Sequence, residues 1–355
     1  MSLFKRKEKA TGEILAGGES AIANKEVEGL SQGQIVRRRF FRHRAAVGAL
    51  VVLTSLILFV MTALETKIGP LRIPGWWKWT TEDIPALRFE DCPGGTTGCP
   101  TLSLKPGSSF GLGTHPFGQD DIGRDYFALV MNGARRSLMI MFVIGAVAGF
   151  IGVVVGSITG FYGKMVDAVL MRLVDFIQTV PTIIIAAVIG KAAGKVGPLY
   201  LALFLGILGW TGLARLVRAQ FLSLREMEFV DAARVAGASN IRIAFKHILP
   251  NAVGQIIVSV TLIMAGAILT ETALSYLGFG VVAPDVSLGL LISQYESSFT
   301  TRPWLFWWPG LFIISIALCV NFIGDGLRDA FDPRQRRRIT KKDRLQAKVQ
   351  AKAGA

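Results

Sequence analysis

The stretch EFVDAARVAGASNIRIAFKHILPN (residues 228–251) decides the fold, because it is polar and helical in pattern yet stands between long apolar runs. Its ionisable side chains are Glu228, Asp231, Arg234, Arg242, Lys246 and His247. So many charged groups are too costly in hydrocarbon for this segment to cross a bilayer. Its regular spacing is also unlike that of a loose linker. The stretch therefore predicts an ordered polar segment between two membrane spans.

The spacing of small and apolar residues within this stretch predicts two short helices. The apolar positions of the first helix are Val230, Ala233 and Ala236. Those of the second are Ile241, Ala244, Phe245 and Ile248. Gly237 is expected to break the chain between the helices, and Ser239 is placed to cap the second one. Pro250 should stop the second helix and start the next span.

The composition is that of an integral membrane protein. Hydrophobic residues make up 51% of the 355 residues and charged residues only 18%, with a mean hydropathy of +0.47. A net charge of +14 would indicate nucleic acid in a soluble protein. Here the basic residues flank apolar runs, so membrane topology and anionic lipid explain the charge better. The three cysteines and three histidines have no metal-ligand spacing.

Six runs are apolar enough to cross ~30 Å of hydrocarbon, which requires about 20 residues each. They are residues 45–64, the stretch between Arg136 and Lys164, residues 171–190, 196–214, 252–277 and 304–324. The third run contains Pro181. The expected fold is therefore all-α, with six transmembrane helices.

The placement of Lys and Arg predicts the orientation of these spans. Both ends of the chain are strongly basic, as in RRRFFRHR (37–44), so both termini should be cytoplasmic. The predicted regions are a leader with a basic interfacial helix (1–44), a first transmembrane helix (45–64), an extracytoplasmic loop (65–137), a five-helix core (138–324) and a basic cytoplasmic tail (325–355). The polar loop, taken as residues 222–252, then also faces the cytoplasm.

Glycines in the second span predict a close helix–helix contact. They are Gly145, Gly149, Gly152, Gly156, Gly160 and Gly163. Their spacing averages 3.6 residues, which is the helix period, so they share one stripe. Glycine lets two helix backbones approach closely in lipid.

Two acidic residues within the spans need partners. Glu271 lies toward the outer end of the fifth span, and two interpretations stay open. With Ser275 and Tyr276 it could line a pathway, or it could form a structural hydrogen bond. Asp175 is expected to pair with Arg172, three residues earlier on the same helix face.

The predicted outer loop contains the segment CPGGTTGC, with Cys92 and Cys99 as a candidate disulfide. The turn-forming residues between the two cysteines favour a disulfide, but the sequence does not require one. Asp120, Asp121 and Asp125 lack the spacing of a calcium loop, so helix capping and loop hydrogen bonds are expected instead.

The sequence contains no pattern for catalysis. None of its Gly-Lys pairs is followed by Ser or Thr, so the chain has no phosphate-binding loop for ATP. We therefore expect neither ATP hydrolysis nor a cofactor or metal in this chain, and a membrane-anchored enzyme is excluded by the lack of a soluble domain. On the residues alone, the 228–251 stretch is either a docking site for a soluble protein or an interfacial amphipathic helix without a partner.

The same stretch resembles the EAA loop of binding-protein-dependent ABC importer permeases, whose pattern is E-A-A-x3-G-x9-I-x-L-P. The matching positions are Ala232, Ala233, Gly237, Leu249 and Pro250. Asp231 replaces the Glu of the pattern and His247 replaces the Ile. Three further segments are similar to the C-type subunit of dipeptide and oligopeptide importers: HPFGQDDIGRD (115–125), ETALSYLGFG (271–280) and GDGLRDAFDP (324–333). The resemblance covers about residues 31–335.

This resemblance implies a type I ABC importer permease core (MetI-like) with cytoplasmic coupling helices, in a bacterial plasma membrane. It implies as partners a homologous permease, two ABC ATPase subunits that hold ATP and Mg²⁺, and an extracytoplasmic binding protein that delivers di- or oligopeptides. The implied ATPase-coupling residues are Glu228, Asp231, Ala232, Ala233, Gly237, Ala238, Ser239, Arg242, His247, Leu249 and Pro250. A permease for a nickel complex or an antimicrobial peptide is the alternative within the family. A stand-alone secondary transporter is a more distant alternative.

Overall fold

The computed structural model describes residues 32–68, 71–87, 92, 97–102, 113–193 and 196–332. The predicted leader up to residue 31, the tail from residue 333 and the turn at 93–95 lie outside these residues. The helices are α1 (Gln32–Arg42), α2 (Arg44–Ala63), α3 (Tyr126–Tyr162), α4 (Lys164–Thr179), α5 (Thr182–Ala193), α6 (Pro198–Gly209), α7 (Thr211–Arg225), α8 (Glu228–Val235), α9 (Asn240–Tyr276), α10 (Leu288–Gln294) and α11 (Trp304–Phe331). Strands β1 (Thr66–Ile68) and β2 (Leu71–Ile73) pair antiparallel after α2.

The predicted all-α membrane fold is confirmed. Helices α2, α3, α9 and α11 are each long and apolar enough to cross a membrane. Two bent pairs, α4 with α5 and α6 with α7, pass the same test together. The described residues therefore contain four unbroken spans, and six if each bent pair makes one crossing.

The third span is broken where the sequence predicted a continuous run over 171–190. Helices α4 and α5 meet at an angle of 76°. Pro181 has no N–H to donate, and it holds Val180 in an extended conformation, with φ −92° and ψ 129°. The chain therefore leaves the helix between α4 and α5.

The fourth span also differs from its prediction. It bends by 42° at Trp210, and α7 continues to Arg225 rather than ending near residue 214. This extension is helical because Val217 and Phe221 lie one turn apart on one face, and both are buried in the core. Helix α7 thus carries the span directly into the polar loop.

Two helices extend across predicted region boundaries. The outer loop was expected to reach residue 137, but α3 begins at Tyr126, where the Asp125 side chain accepts a hydrogen bond from the Ala128 N–H. The apolar residues that follow are buried, so they belong to the helix and not to a loop. The core was expected to end at Gly324, but α11 continues to Phe331, whose ring packs against Gly254 on α9.

The glycine stripe of α3 contacts two helices in succession. A methyl group at Gly145 or Gly149 would meet Met264 or Val260 of α9. At Gly152, Gly156 and Gly160 it would meet side chains or backbone of α7, within 2.6–2.9 Å at the first two. Gly163 stands apart from the stripe, because it ends α3 with a φ of +63°. Both helices that flank the polar loop therefore pack against one face of α3.

Candidate functional site

The polar loop is a helix–turn–helix built from α8 and the start of α9. Helix α8 ends at Val235, and Gly237 then adopts a φ of +77°, which is the left-handed region that favours glycine. Ser239 caps α9 by accepting a hydrogen bond from the Arg242 N–H. The break and the cap therefore lie where the sequence predicted them.

The loop is anchored by a small core beneath it. Val230 and Ala233 of α8 are buried against Ile243 and Ile248 of α9. The same core continues into α7 through Phe221. Because these contacts reach both flanking helices, the loop is packed on the spans and is not a free linker.

The predicted apolar positions of the second helix divide between the core and the surface. Ile241 is 67% exposed and Phe245 is 60% exposed, whereas Ile243 is buried. The cause is a π-helical part over Ile243–Ile248, whose wider turn rotates the buried face relative to an α-helix.

Pro250 does not stop this helix. It lies in the first turn of the α-helical part of α9, directly after the π-helical part, and the helix runs on through it. The side-chain amide of the next residue, Asn251, donates to the His247 carbonyl at 2.7 Å and so bridges the π-helical and α-helical parts. The second helix of the polar loop is therefore continuous with the span that runs to Tyr276.

The exposed side of the loop combines apolar and charged groups, and we call it the platform. Its apolar members are Val235 (90% exposed), Ile241 and Phe245. Its charged members are Glu228, Asp231, Arg234, Arg242 and Lys246, all exposed. Asp231 pairs with Arg234 at 2.8 Å. Exposed apolar groups among charges are typical of a surface that another protein covers.

The other predicted coupling residues are placed around the platform. Ala232, Gly237, Ser239 and Pro250 are exposed, Ala238, His247 and Leu249 are half-buried, and Ala233 is buried. Ala233 therefore acts in the core under the loop and not at its surface. A methyl group at Gly237 would meet no other atom within 4 Å, so its role is in the backbone.

Ion pairs connect α7 to α4. Arg218 forms a two-pronged pair with Asp167, with one N–O distance of 2.6 Å. Asp175 pairs with Arg215 at 2.6 Å, and not with Arg172 as the sequence predicted. Spacing along one helix favoured Arg172, but α7 brings a second cation to the same carboxylate. A displacement of the loop would thus reach α4 through α7.

The new partner of Asp175 leads to a prediction. Replacing Arg215 by Gln should lower the stability of the chain by about 0.2–1 kcal/mol, because both members of the pair are about half exposed. Arg172→Gln is the matched control and should have no such effect. Thermal unfolding of the purified variants measures the difference, and equal midpoints would contradict the Arg215–Asp175 pair.

Glu271 is buried inside this chain. It is 0% exposed, and its two carboxylate oxygens accept hydrogen bonds from Ser275 at 2.8 Å and from Ser137 of α3 at 2.9 Å. The Ser275 hydroxyl accepts in turn from the Val281 N–H, and the Ser137 hydroxyl from the Leu288 N–H. The geometry favours the structural interpretation, because the carboxylate ties α9 to α3 and to the segment before α10. Tyr276, the third predicted lining residue, is 38% exposed.

On the opposite side of the spans, the described residues between β2 and α3 form a group that we call the cap. Cys92 and Cys99 are joined as a disulfide, and the Gln119 N–H donates to the Gly98 carbonyl. Asp120 accepts from Arg124, and Asp121 pairs with Arg302. The three aspartates thus serve capping and loop hydrogen bonds, and the described residues include no metal-binding group of three or more His, Cys, Asp or Glu.

Two residues of the cap were missed by the sequence reasoning. His115 Nδ1 lies 2.7 Å from a buried Asp125 oxygen, and Trp77 Nε1 donates to the other oxygen at 2.7 Å. Asp125 thereby joins the cap to the start of α3. For His115, the one indication in the sequence was that His115 and Asp125 are the first and last residues of the segment HPFGQDDIGRD. Nothing in the sequence indicated Trp77.

Two family models match the chain. Residues 152–337, which include the platform, match the inner membrane component of binding-protein-dependent transport systems. Residues 31–71, which include α1 and α2, match the N-terminal TM domain of oligopeptide transport permease C.

Several curated proteins are similar over nearly their whole length. The oligopeptide transport system permease protein OppC of Escherichia coli K12 is 37% identical over 311 residues, covering 88% of this chain and 94% of that protein. OppC of Mycobacterium tuberculosis H37Rv is 37% identical over 307 residues, covering 86% and 96%. A solved chain of the MetNI methionine ABC transporter is 20% identical, with a TM-score of 0.46, and covers 58% of this chain and 97% of that one.

Proposed function

Because the chain belongs to the family of inner membrane components of binding-protein-dependent transport systems, we propose that it is the permease subunit of an ATP-driven importer of oligopeptides. The observation that carries this proposal is the platform: a helix–turn–helix with exposed apolar groups, which packs on α7 and is continuous with the span in α9. The oligopeptide assignment is supported by the similarity to oligopeptide transport permeases and by the match of residues 31–71.

The proposed assembly contains partners that the family implies. A second, homologous permease would complete the pathway, two ATPase subunits would bind ATP and Mg²⁺, and an extracytoplasmic binding protein would deliver the peptide. This chain would hydrolyse no ATP itself. The platform supports such an arrangement because Val235, Ile241 and Phe245 would lose their exposed apolar area on docking.

The mechanism follows from how the loop is joined to the spans. Closure of the ATPase subunits would move the docked α8, and the buried Val230 and Ala233 would carry this movement to α7 and α9. Both helices are seated on the glycine stripe of α3, and α7 is also paired with α4. The spans would thereby switch the pathway between its two sides.

Transport of labelled peptides by the reconstituted assembly tests the function. We expect ATP-dependent uptake of oligopeptides that requires the ATPase subunits and the binding protein. Vesicles that lack the ATPase subunits are the control, and uptake without them would favour a stand-alone secondary transporter. Uptake of a nickel complex or an antimicrobial peptide in place of oligopeptides would favour the alternatives within the family.

Topology is a further part of the proposal. With both termini cytoplasmic in a bacterial plasma membrane, Ser239→Cys should react with a membrane-impermeant thiol reagent only from the cytoplasmic side. Ser297→Cys, an exposed position between α10 and α11, is the matched control and should react only from outside. The unmodified chain gives the background, and labelling of position 239 from outside would overturn the orientation.

A further inference from the structure

Among the described residues, helix α1 packs on the rest of the chain with one of its faces. Phe40 is buried in a small core with the end of α11. Arg39 donates to the Asp332 carbonyl at 3.2 Å, and His43 Nε2 lies 3.4 Å from the Asp329 carboxylate. These contacts fix how α1 is rotated about its own axis, and therefore which side chains point away from the protein.

The opposite face of α1 is basic and aromatic. It consists of Gln34, Arg37, Arg38 and Phe41, which line a shallow cleft of about 330 Å³. Their offsets of three, four and seven residues place them on one helix face. Arg37 and Arg38 are exposed, and within the described part of the chain neither has an ion pair or a hydrogen bond with another residue. Phe41, between them and the first span, is 60% exposed.

The position of this face relative to the membrane follows from α2. Helix α1 ends at Arg42 and the membrane-spanning α2 begins at Arg44, so α1 lies where the chain enters the bilayer. Val51 and Val52 in the first half of α2 are both more than half exposed, as expected for side chains that contact lipid. Helix α1 is therefore at the depth of the lipid headgroups.

We propose that this face of α1 binds the phosphate headgroup of an anionic phospholipid. The guanidinium groups of Arg37 and Arg38 present planar sets of donors that match phosphate oxygens. Phe41 favours a lipid over an acidic protein surface, because its ring is placed to enter the boundary between headgroups and acyl chains. The site is independent of the transported solute and of the platform.

The test measures lipid retention by the purified transporter assembly. The assembly is equilibrated with phosphatidylglycerol in a phosphatidylcholine background, and bound phosphatidylglycerol is counted by native mass spectrometry. Arg37→Gln with Arg38→Gln should weaken its binding about tenfold or more, since each basic residue near an anionic surface contributes about 1 kcal/mol. Phe41→Ala, which leaves both charges, should weaken it several-fold and serves if the double variant does not fold.

The matched control removes the same charge from the cap instead. Arg72→Gln with Lys78→Gln changes two exposed basic residues that lie beyond the other end of α2, and it should retain phosphatidylglycerol as the unmodified chain does. If both double variants lost the same amount of bound phosphatidylglycerol, the loss would follow from net charge alone, and the proposed site would be wrong. Unchanged retention in the Arg37/Arg38 variant would also overturn it, as would loss of ATPase co-purification with lipid binding intact.

Discussion

Replacing Gly237 by Val should lower peptide uptake and substrate-stimulated ATP hydrolysis about tenfold or more, while the subunits still assemble. Gly237 has a φ of +77°, and a β-branched residue in this region costs of the order of 1–3 kcal/mol. The turn would relax toward another conformation and carry α8 away from the orientation in which it docks. A cost of that size changes an equilibrium constant by about 5- to 150-fold, since 1.4 kcal/mol is tenfold.

The matched control for this variant is Gly237→Asn. Asn tolerates the left-handed region, and the space around Gly237 is open, so the turn should persist and most of the uptake with it. Uptake and ATP hydrolysis are measured on assemblies whose subunit content has been compared by co-purification. If the Val and Asn variants transport equally well, the geometry of this turn has no role in coupling. If the Val variant does not assemble, the turn serves docking itself.

The second large effect is expected at Glu271, where replacement by Ala should reduce the amount of folded chain severely. The change removes the acceptor of two buried hydroxyls, those of Ser137 and Ser275, and leaves a cavity. A buried polar group left without a partner costs about 1–3 kcal/mol, and truncation of a large buried side chain adds about 2–5 kcal/mol. Together these costs are a large part of the stability of a typical domain.

Glu271→Gln separates the two interpretations of this residue. The amide keeps the shape and one carbonyl acceptor, so stability should fall by only about 1 kcal/mol and uptake per folded molecule should remain near that of the unmodified chain. Thermal unfolding and peptide uptake are measured on the same preparations. A Gln variant that is fully stable but has lost uptake would contradict the structural role and favour a place in the pathway.

Features that depend on local sequence were predictable. The helix break at Gly237, the cap at Ser239 and the common stripe of the α3 glycines each follow from residue type and helical spacing alone. The all-α membrane fold follows from the length of the apolar runs. The placement of the polar loop between two spans came from its six ionisable side chains, and its proposed role came from the resemblance of its motif.

Features that depend on contacts between distant segments were not predictable. Arg215 meets Asp175 only because α7 packs beside α4, and a spacing rule along one helix selected Arg172 instead. The π-helical part that exposes Ile241 and Phe245 is fixed by the burial of Ile243 beneath α8. The start of α3 at Tyr126 depends on the cap around Asp125, whose partners are up to 48 residues away in the sequence.

Helices α7 and α9 both pack against the glycine stripe of α3, and this arrangement affects how variants are interpreted. Adding even a methyl group at Gly156 would push Val217 and the Ala214 carbonyl of α7 outward, and α7 leads straight into the platform. Such a change would alter the position of the loop from a distance of several helical turns, and its phenotype would look like a failure of coupling. Loss of ATPase stimulation therefore indicates a defect in the glycine stripe of α3, in α7 or in the platform. Variants of the stripe and of the platform must be compared to distinguish these sites.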